Sequence, residues 1–312
     1  MGTTYHISWV QGAHSPSTES VLKRDVDALL ARVNQSMSTY IPDSELSRLN
    51  SAPAGTRIKV SKDLFMLLQH ALNIAQITNG SFDPTIGPLV NLWGFGPKKG
   101  PRLMPTEAQI QKAKKSVGYQ NIKLWPQSLE VLKERQNMYV DLSASAKGYG
   151  VDQVAELLEE KGISNFLVEI GGEMRVKGRK PDGAWLVAIE SPVAGERSIQ
   201  KVLKLSDSAI ATSGDYRNFF EDQGKRYSHT IDVATGHPIQ NLMASVTVID
   251  SKSCMNADAW ATAITALGPE QGLAMAKKQG IMAYIIFYRP QADYSRFDVQ
   301  WTEGFERLFE AL

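Results

Sequence analysis

The stretch that decides the fold is MYVDLSASAKGYGVDQVAELLEEKGISNFLVEIGG, residues 138–172. Its apolar beginning, residues 138–140, predicts a short strand that ends at Asp141. The segment SASAKGYG follows, in which small side chains and glycines let the backbone approach a ligand closely and turn tightly. It also carries one cation, Lys147. The sequence therefore predicts a loop of small residues, with a lysine in it, after a strand.

A helix and a second strand are predicted directly after this loop. Apolar residues recur every three or four positions from Val151, and Gly162 has the place of a C-terminal cap. Residues 166–170 predict a buried strand, which Gly171 and Gly172 end. Because the first amides of a helix lack partners and its dipole is positive there, a helix start is a natural anion site. The spacing alone also fits a plain connection with a solvated lysine, since neither GxxxxGK[ST] nor GxGxxG occurs.

The composition is that of a soluble globular protein. The 312 residues are 43% hydrophobic and 21% charged, with a net charge of +1. This balance gives no electrostatic reason to expect a nucleic-acid partner. Cys254 is the single cysteine, so no internal disulfide can form, and no run of 18 apolar residues predicts a membrane span. The length fits one domain over residues 1–312, or two closely joined lobes.

The remaining pattern predicts an α+β fold. Amphipathic helices are expected at 16–37, 62–78, 256–267 and 269–279. Residues 80–97 combine prolines, glycines and aromatic side chains, which is typical of a packed functional loop, with a buried structural loop as the alternative. Strands without regular helices between them favour a largely antiparallel sheet with packed helices over a doubly wound parallel sheet. Strands are predicted at 1–10, 185–190, 201–205, 209–211, 229–233, 244–250 and 282–288.

The predicted helix NADAWATAITALG, residues 256–268, places Asp258 and Thr262 four positions apart and hence on one face. A carboxylate and a hydroxyl are hard oxygen ligands that suit Mg²⁺, which completes its shell with phosphate and water. The spacing also fits an aspartate near a helix start that only caps the helix or interacts with its dipole, which is the commoner role. The pair is thus a candidate magnesium site with a structural alternative.

Two histidines, His229 and His237, flank Ile231 and Asp232. A His–Asp pair in a strand and turn could supply a general base. A lone histidine in a strand is more often a structural residue, and neither HxH nor HExxH, the zinc patterns, is present. Cys254 has no nucleophile motif beside it and is interpreted as a small buried hydrophobe.

Seven sequence blocks occur in one order along nearly the whole chain, which is far more specific than any single motif. They are MGTTY at 1–5, STY at 38–40, FDPTIGPLVNLWGFGP at 82–97, VDLSASAKGYGVD at 140–152, ATSGDYRN at 211–218, SHTIDVATGHPI at 228–239 and NADAWATAITALG at 256–268. With these blocks the chain resembles the ApbE family, the FAD:protein FMN transferases. The resemblance implies a T-fold-like α+β architecture. It also implies Mg²⁺-dependent transfer of FMN from FAD to a threonine or serine hydroxyl of a target protein, with release of AMP.

The resemblance further implies roles for individual residues. It implies that Mg²⁺ is held by Asp258, Thr262 and the backbone carbonyl of Ala144. Where the family commonly has two glycines after Asp-Leu, this chain has Ser143 and Ala144, a change that a carbonyl ligand tolerates. The residues implied to contact FAD are Met1, Tyr40, Ser81, Phe82, Asp83, Asp141, Lys147 and Ile231.

Elementary chemistry agrees with these roles. Breaking a phosphoanhydride needs neutralised phosphoryl charge, an in-line nucleophile and a proton acceptor. The metal with Lys147 would supply the first, and the target hydroxyl is the second. His229 is the candidate for the third, with Asp258 as the alternative. Tyr40 and Phe82 offer flat aromatic walls for flavin or adenine rings.

Two other functions remain open. With water in place of the hydroxyl, the same site would be a Mg²⁺-dependent FAD pyrophosphatase that gives FMN and AMP; without catalysis, the chain would be a flavin-binding protein. The resemblance implies that the targets are flavoprotein subunits of membrane redox complexes of the Na⁺-translocating NADH:quinone reductase type. It also implies an exported, often lipid-anchored protein at the periplasmic face of the bacterial inner membrane. An export signal is not recognisable in these 312 residues.

Overall fold

Two compact units make up the structure, a computed structural model. It describes residues 2–11, 18–97, 104–192, 198–214, 219–222, 225–289 and 296–310. The first unit consists of Met1–Ala31, Lys147–Asn218 and Asn241–Leu312. The second consists of Arg32–Ala146 and Phe219–Gln240. None of the described helices is both long enough and apolar enough to cross a membrane.

Strands and helices alternate irregularly along the described part of the chain. The strands are β1 (Tyr5–Trp9), β2 (Arg57–Lys59), β3 (Ile122–Trp125), β4 (Glu130–Lys133), β5 (Phe166–Ile170), β6 (Glu173–Lys177), β7 (Trp185–Glu190), β8 (Ile199–Leu205), β9 (Ser208–Gly214), β10 (Phe219–Asp222), β11 (Lys225–Ser228), β12 (Met243–Asp250), β13 (Met282–Tyr288) and β14 (Phe297–Trp301). The α-helices are α1 (Glu19–Met37), α2 (Glu45–Ser51), α3 (Lys62–Ile77), α4 (Gly87–Leu92), α5 (Glu107–Lys114), α6 (Ser143–Glu160), α7 (Cys254–Leu267) and α8 (Pro269–Gln279).

The first unit is built on a seven-stranded antiparallel sheet in the order β1-β5-β6-β9-β12-β13-β14. Successive side chains of a strand point to opposite faces of a sheet. Accordingly, Val168 and Ala209 lie in one apolar core, while their neighbours Leu167 and Ile210 lie in or against another. The predicted α+β class, with a largely antiparallel sheet and packed helices, is confirmed.

Different elements cover the two faces of this sheet. On one face, apolar residues of α1 and α6 pack against β5, and Cys254 of α7 is fully buried among them, as predicted. The two-stranded sheet β7–β8 covers the other face, with Val187 and Leu203 in its core. Full burial of one such aliphatic side chain stabilises the fold by about 1.5–3 kcal/mol. Helix α7 also packs on β9 and β12, which fixes the helix that carries Asp258 and Thr262.

The second unit has a smaller antiparallel sheet, in the order β2-β4-β3. Its helix α3 buries the predicted apolar stripe, which includes Leu64, Leu68 and Ala71. A separate core contains Trp93, whose indole Nε1 donates a hydrogen bond to the carbonyl of Gly236 at 2.8 Å. Trp93 belongs to the segment 80–97, which is well packed and contains the short helix α4.

Two predictions at the start of the central stretch are wrong. Residues 138–140 form no strand, and Tyr139 makes only one isolated parallel bridge, with Ile86. The segment SASAKGYG is not a loop but the first two turns of α6, which begins at Ser143. Oδ1 of Asp141 accepts a hydrogen bond from the Ser143 amide at 2.9 Å and so satisfies one unpaired donor of the first turn. Small residues at a helix start thus resemble a loop in sequence.

The predicted strand at 229–233 is also wrong, because Ile231 forms only an isolated bridge. Oδ1 of Asp232 accepts the Ala234 amide at 2.8 Å, and the Gly236 amide donates to the Asp232 carbonyl at 2.7 Å. Aspartate and glycine are residues that build turns through such local bonds. Turn chemistry therefore outweighs the β-propensity of this apolar run.

Candidate functional site

Helices α6 and α7 approach each other closely at Gly148. A Cβ atom at this position would lie 2.3 Å from the carbonyl oxygen of Cys254, so only glycine fits. The close approach lets the Gly148 amide donate a hydrogen bond to Oδ2 of Asp258 at 3.0 Å. In a regular helix that amide bonds the carbonyl four residues earlier, which is Ala144. The Asp258 carboxylate is thus tied to the first turns of α6 through a backbone amide.

Three charged residues of the first unit, Lys147, Glu173 and Asp258, form what we call the Lys147 cluster. The Lys147 ammonium bonds Oε1 of Glu173 and lies 3.9 Å from Oδ1 of Asp258. Glu173 is 2% exposed and Asp258 is 5% exposed, whereas the side chain of Lys147 is 33% exposed. The lysine is therefore the member of the cluster that solvent or a ligand can reach.

Burial is the largest influence on the pKa values of all three groups of the cluster. Burial raises the pKa of Asp258, against the opposing effects of Lys147 and the Gly148 amide. Burial, together with the charge of Asp258, also raises the pKa of Glu173, although Lys147 opposes the rise. Burial lowers the pKa of Lys147, but Asp258 and Glu173 outweigh it, and the pKa stands above its ordinary value. The lysine is therefore firmly protonated, whereas burial favours the neutral form of both carboxyl groups.

The donor set around Asp258 fits a divalent cation. Burial favours the neutral forms of Glu173 and Asp258, and a bound divalent cation would favour their ionised forms. Oε2 of Glu173 is buried and has no hydrogen-bond partner among the described residues. Thr262 is partly buried and lies one turn after Asp258 on α7, so both side chains are on one face. Hard oxygen ligands such as the Asp258 carboxylate and the Thr262 hydroxyl are what Mg²⁺ prefers.

The alternative role of Asp258, as a cap of its own helix, is excluded. Ser253 caps α7, since its Oγ accepts the Asn256 amide at 3.1 Å. Asp258 lies in the second turn, with its carboxylate bonded to α6. Within the described ranges there is no group of three or more His, Cys, Asp or Glu side chains suited to a metal. The ligand set predicted here differs from such a group, because it has one carboxylate, one hydroxyl and one carbonyl.

Asp83 organises a loop of the second unit. Its Oδ1 accepts the amide and the hydroxyl of Thr85, both at 2.7 Å, and its Oδ2 accepts the amide of Tyr119 at 2.9 Å. Burial raises the pKa of Asp83, and the hydrogen bonds from Thr85 and Tyr119 oppose this rise. The neighbouring Phe82 is buried at 6% exposure, and Ser81 is partly exposed. The side chain of Asp83 is therefore used by the fold itself.

The other predicted contacts of the second unit differ in exposure. Tyr40 is 69% exposed, a high value for an aromatic ring. The ring of His229 is partly exposed and meets the ring of Phe95 edge-on, with 6.3 Å between centroids. Ile231 is 5% exposed and packs in the core around Trp93. Its side chain is therefore unavailable to a ligand, in contrast to Tyr40.

The hypothesis of a His–Asp pair finds other partners for its members. The carboxylate of Asp232 accepts the Ala234 amide at 2.8 Å and the Thr235 hydroxyl at 3.1 Å, within its own turn. Nε2 of His237 lies 3.2 Å from Oε2 of Glu107. Asp232 is therefore used within its own turn, and His237 contacts α5. Met1, also predicted to contact FAD, lies outside the described residues.

The family model of the ApbE family matches residues 1–286. The chain belongs to the ApbE family. It is 45% identical over 287 residues to a FAD:protein FMN transferase of Vibrio cholerae, which covers 92% of this chain and 85% of that protein. A FAD:protein FMN transferase of Haemophilus influenzae is 43% identical over 315 residues, 99% of this chain and 90% of that protein. The solved structure of the flavin transferase ApbE from Vibrio cholerae has a TM-score of 0.90 at 41% identity, covering 99% of this chain and 96% of that one. The seven sequence blocks predicted that the chain belongs to this enzyme family, and that prediction is confirmed.

Sequence reasoning missed Glu173, the third member of the Lys147 cluster in this ApbE-family chain. Asp152 of α6 was missed as well. Its carboxylate accepts the amides of Cys254 and Met255, at 2.9 and 3.0 Å, and the Ser253 hydroxyl at 3.0 Å, which holds the start of α7. The sequence signal for Glu173 is its position: this carboxylate directly follows the two glycines that end a buried strand. Asp152, in the polar pattern of a helix, carries no such signal.

Proposed function

We propose that the chain transfers FMN from FAD to a threonine or serine hydroxyl of a target protein and releases AMP, with Mg²⁺ as cofactor. The observation that carries this proposal is the Lys147 cluster, in a chain whose relatives bear the name FAD:protein FMN transferase. A buried site with one cation and two carboxylates suits cleavage of a phosphoanhydride, because it combines charges that bind phosphate with charges that bind metal.

Asp258, Thr262 and the backbone carbonyl of Ala144 are the proposed Mg²⁺ ligands. Asp258 provides the charged ligand; burial raises its pKa, and a bound cation would favour its ionised form. Thr262 provides a neutral oxygen from the same face of α7. When bound, Mg²⁺ neutralises charge on the phosphoryl oxygens and so favours attack at phosphorus. Lys147 contributes a second positive charge for the pyrophosphate.

A proton acceptor is needed for the transfer. The hydroxyl oxygen of the target forms a bond to the phosphorus of the FMN moiety, and the bond from that phosphorus to the bridging oxygen breaks. AMP leaves with the bridging oxygen, and the hydroxyl proton passes to a base. His229 is the proposed base, because it is partly exposed and its ring meets that of Phe95 edge-on. Asp258 is the alternative base.

The proposed FAD contacts divide into side-chain and main-chain contacts. The exposed ring of Tyr40 is proposed to stack on the cofactor. Phe82, Asp83 and Ile231 are buried, so main-chain atoms are the proposed contacts at these positions. Further proposed contacts are those of Met1, Ser81, Asp141 and Lys147.

The proposed targets are flavoprotein subunits of membrane redox complexes, of the Na⁺-translocating NADH:quinone reductase type. The proposed location is the periplasmic face of the bacterial inner membrane, with a lipid anchor. Both proposals rest on the family resemblance. A direct check is fractionation of cells that produce the full-length protein, in which recovery with cytoplasmic markers would contradict the proposed location.

The experiment that tests the function combines the protein with FAD, Mg²⁺ and a candidate flavoprotein subunit. The expected result is flavin fluorescence on the subunit in a denaturing gel, with one AMP released for each flavin attached. Release of AMP with free FMN, in place of labelled subunit, would favour the pyrophosphatase. FAD binding with no AMP release would favour a flavin carrier. A matched reaction with EDTA tests the dependence on metal.

A further inference from the structure

The hairpin between β5 and β6 contacts the side chain of Lys147. Gly171, in the turn, has a φ of +64° and lies against this lysine. A Cβ atom at Gly171 would lie 3.4 Å from Cδ of Lys147 and 2.9 Å from Cγ2 of Thr3. The turn therefore lies alongside the aliphatic part of Lys147, while its left-handed φ and the nearby Thr3 side chain are what favour glycine at position 171.

Glu173 begins β6 directly after this turn and receives the end of the lysine. Its Oε1 bonds the Lys147 ammonium, and its Oε2 is buried without a hydrogen-bond partner in the described part of the chain. A carboxylate that is 2% exposed is costly to bury unless it is paired. Lys147 is the cation within salt-bridge distance of it among the described residues. The hairpin thus supplies both a surface for the stem of Lys147 and an acceptor for its ammonium.

We propose that Glu173 is a positioning residue, which holds the Lys147 ammonium next to Asp258 so that it meets the pyrophosphate of FAD. This inference rests on the proposed function. A flexible lysine side chain loses rotamer freedom when it binds a ligand, and the bond to Glu173 removes that freedom before the ligand binds. An ammonium has three donors. One donor is used on Glu173 and Asp258 lies beyond hydrogen-bond distance at 3.9 Å, so donors remain for phosphate oxygens.

A purely structural role makes a different prediction. A salt bridge that only stabilises the fold would change thermal stability when it is broken, but it would leave FAD binding by the folded protein unchanged. A positioning role requires that the effect of changing Glu173 depends on Lys147. The two roles are therefore separable by measurements on FAD affinity and on the pair of residues together.

The first test compares Glu173→Gln with a control, Glu159→Gln. Glutamine keeps an acceptor oxygen but removes the charge, so kcat/KM for FAD is expected to fall about 10- to 100-fold, as for a lost charged hydrogen bond. The FAD dissociation constant, measured by flavin fluorescence in EDTA, is expected to rise in parallel. Glu159 has the same type of pair, with its Oε2 at 2.5 Å from Nζ of Lys177, outside the Lys147 cluster. Glu159 is half-buried and its Oε1 also lies 3.5 Å from Nη2 of Arg175, but neither pair involves Lys147, so the FAD affinity of the control is expected to stay within about twofold of wild type.

A second variant, Glu173→Asp, keeps the charge but withdraws the carboxylate by one methylene. Since displacement by about 1 Å can cost up to about 100-fold in rate, a loss of at least about fivefold is expected. If the glutamine variant does not fold, the aspartate variant decides the question. Wild-type affinity and kcat/KM in Glu173→Asp would overturn the proposal.

A double-mutant cycle with Lys147→Met gives the decisive readout. If Glu173 acts through Lys147, the double variant Lys147→Met/Glu173→Gln binds FAD no more weakly than Lys147→Met alone. Fully additive losses would overturn the positioning role. The cycle is measured on FAD affinity, so it remains informative if wild-type protein releases no AMP. A wild-type protein that binds FAD but releases no AMP would refute the proposed function, and it would leave the role of Glu173 to be decided by the FAD affinities.

Discussion

Asp258 in the first unit and Asp83 in the second are both buried aspartates, but their hydrogen bonds differ. Asp83 accepts three hydrogen bonds from its own loop and a neighbouring segment, from Thr85 and Tyr119. Asp258 accepts one from Gly148 among the described residues, and Lys147 lies 3.9 Å away. A carboxylate has about four acceptor sites, so Asp83 is nearly saturated and Asp258 is not.

This difference separates a structural carboxylate from one that can bind a ligand. Burial raises the pKa of both residues, so the direction of the shift does not distinguish them. What distinguishes them is the partner: neutral donors fixed by the backbone at Asp83, and one amide with a charged cluster at Asp258. We expect Asp83 to contribute to stability and Asp258 to activity, and variants can test each expectation.

The largest effect is expected for Asp258→Ala. This change removes the charged ligand of the proposed metal site and one partner of Lys147, so AMP release should fall by about 10⁴-fold or to background. The measurement is a Mg²⁺ titration of AMP release at saturating FAD. Asp182→Ala, which changes an aspartate whose side chain is 76% exposed, serves as the control and should be unaffected. Unchanged turnover of Asp258→Ala at low Mg²⁺ would refute the role of Asp258 as a metal ligand and, with it, the distinction from Asp83.

The next effect is expected at His229, the proposed base, which contrasts with Asp83 as a group expected to react. His229→Ala is expected to lower the single-turnover rate roughly 10²–10⁴-fold, as for loss of a general base. FAD affinity should stay nearly constant. His6→Ala, a change at a histidine whose side chain is 73% exposed, is the control. Loss of FAD affinity with an unchanged single-turnover rate would make His229 a binding or structural residue.

The elements that the sequence predicted well are those whose pattern is long and local. The helices α3, α7 and α8 have strong periodicity or Pro and Gly at their ends, and the strands β7 and β13 have the predicted bounds. Strands such as β2, β3 and β4 have three or four residues and no clear alternation, so their pairing depends on contacts distant in sequence. The start of α6 was mistaken for a loop because its small residues serve the close contact of Gly148 with Cys254.

The candidate site shows the same limit. Spacing identified Asp258 and Thr262, because residues four apart on a helix share a face. Spacing did not identify Glu173, since its relation to Lys147 is set by the pairing of β5 with β6 and the packing of α6 on the sheet. The structural role of Asp83 could not be predicted either, because the Tyr119 amide that donates to it lies 36 residues further along the chain.

The structural half of the comparison is tested by Asp83→Ala. Removing this carboxylate leaves buried donors of Thr85 and Tyr119 without an acceptor, which should lower the free energy of unfolding by about 2–4 kcal/mol. Turnover by the folded protein should fall less than about tenfold, a loss well below that of Asp258→Ala. Denaturant unfolding and AMP release are measured in parallel, with the exposed Asp43→Ala as the control. Collapse of AMP release at unchanged stability would place Asp83 among the reacting groups and contradict the distinction.

The smallest effect is expected at Tyr40, where burial gives no argument for a structural role. Its ring is 69% exposed, and its described hydrogen bond joins its backbone amide to Oγ of Ser38 at 3.2 Å. A tyrosine at the surface with its ring partly wet is common, and this is the plain explanation. The proposed function assigns the ring instead to stacking on FAD, where it would also keep water from the scissile phosphate.

Tyr40→Asn should then weaken FAD binding by several-fold, or about 1 kcal/mol, and raise the ratio of free FMN to protein-bound FMN at matched FAD saturation. Tyr40→Phe keeps the ring and should leave the ratio unchanged, because stacking does not need the hydroxyl. An equal ratio in wild type and Tyr40→Asn would mean that Tyr40 does not shield the phosphate and that the surface explanation holds.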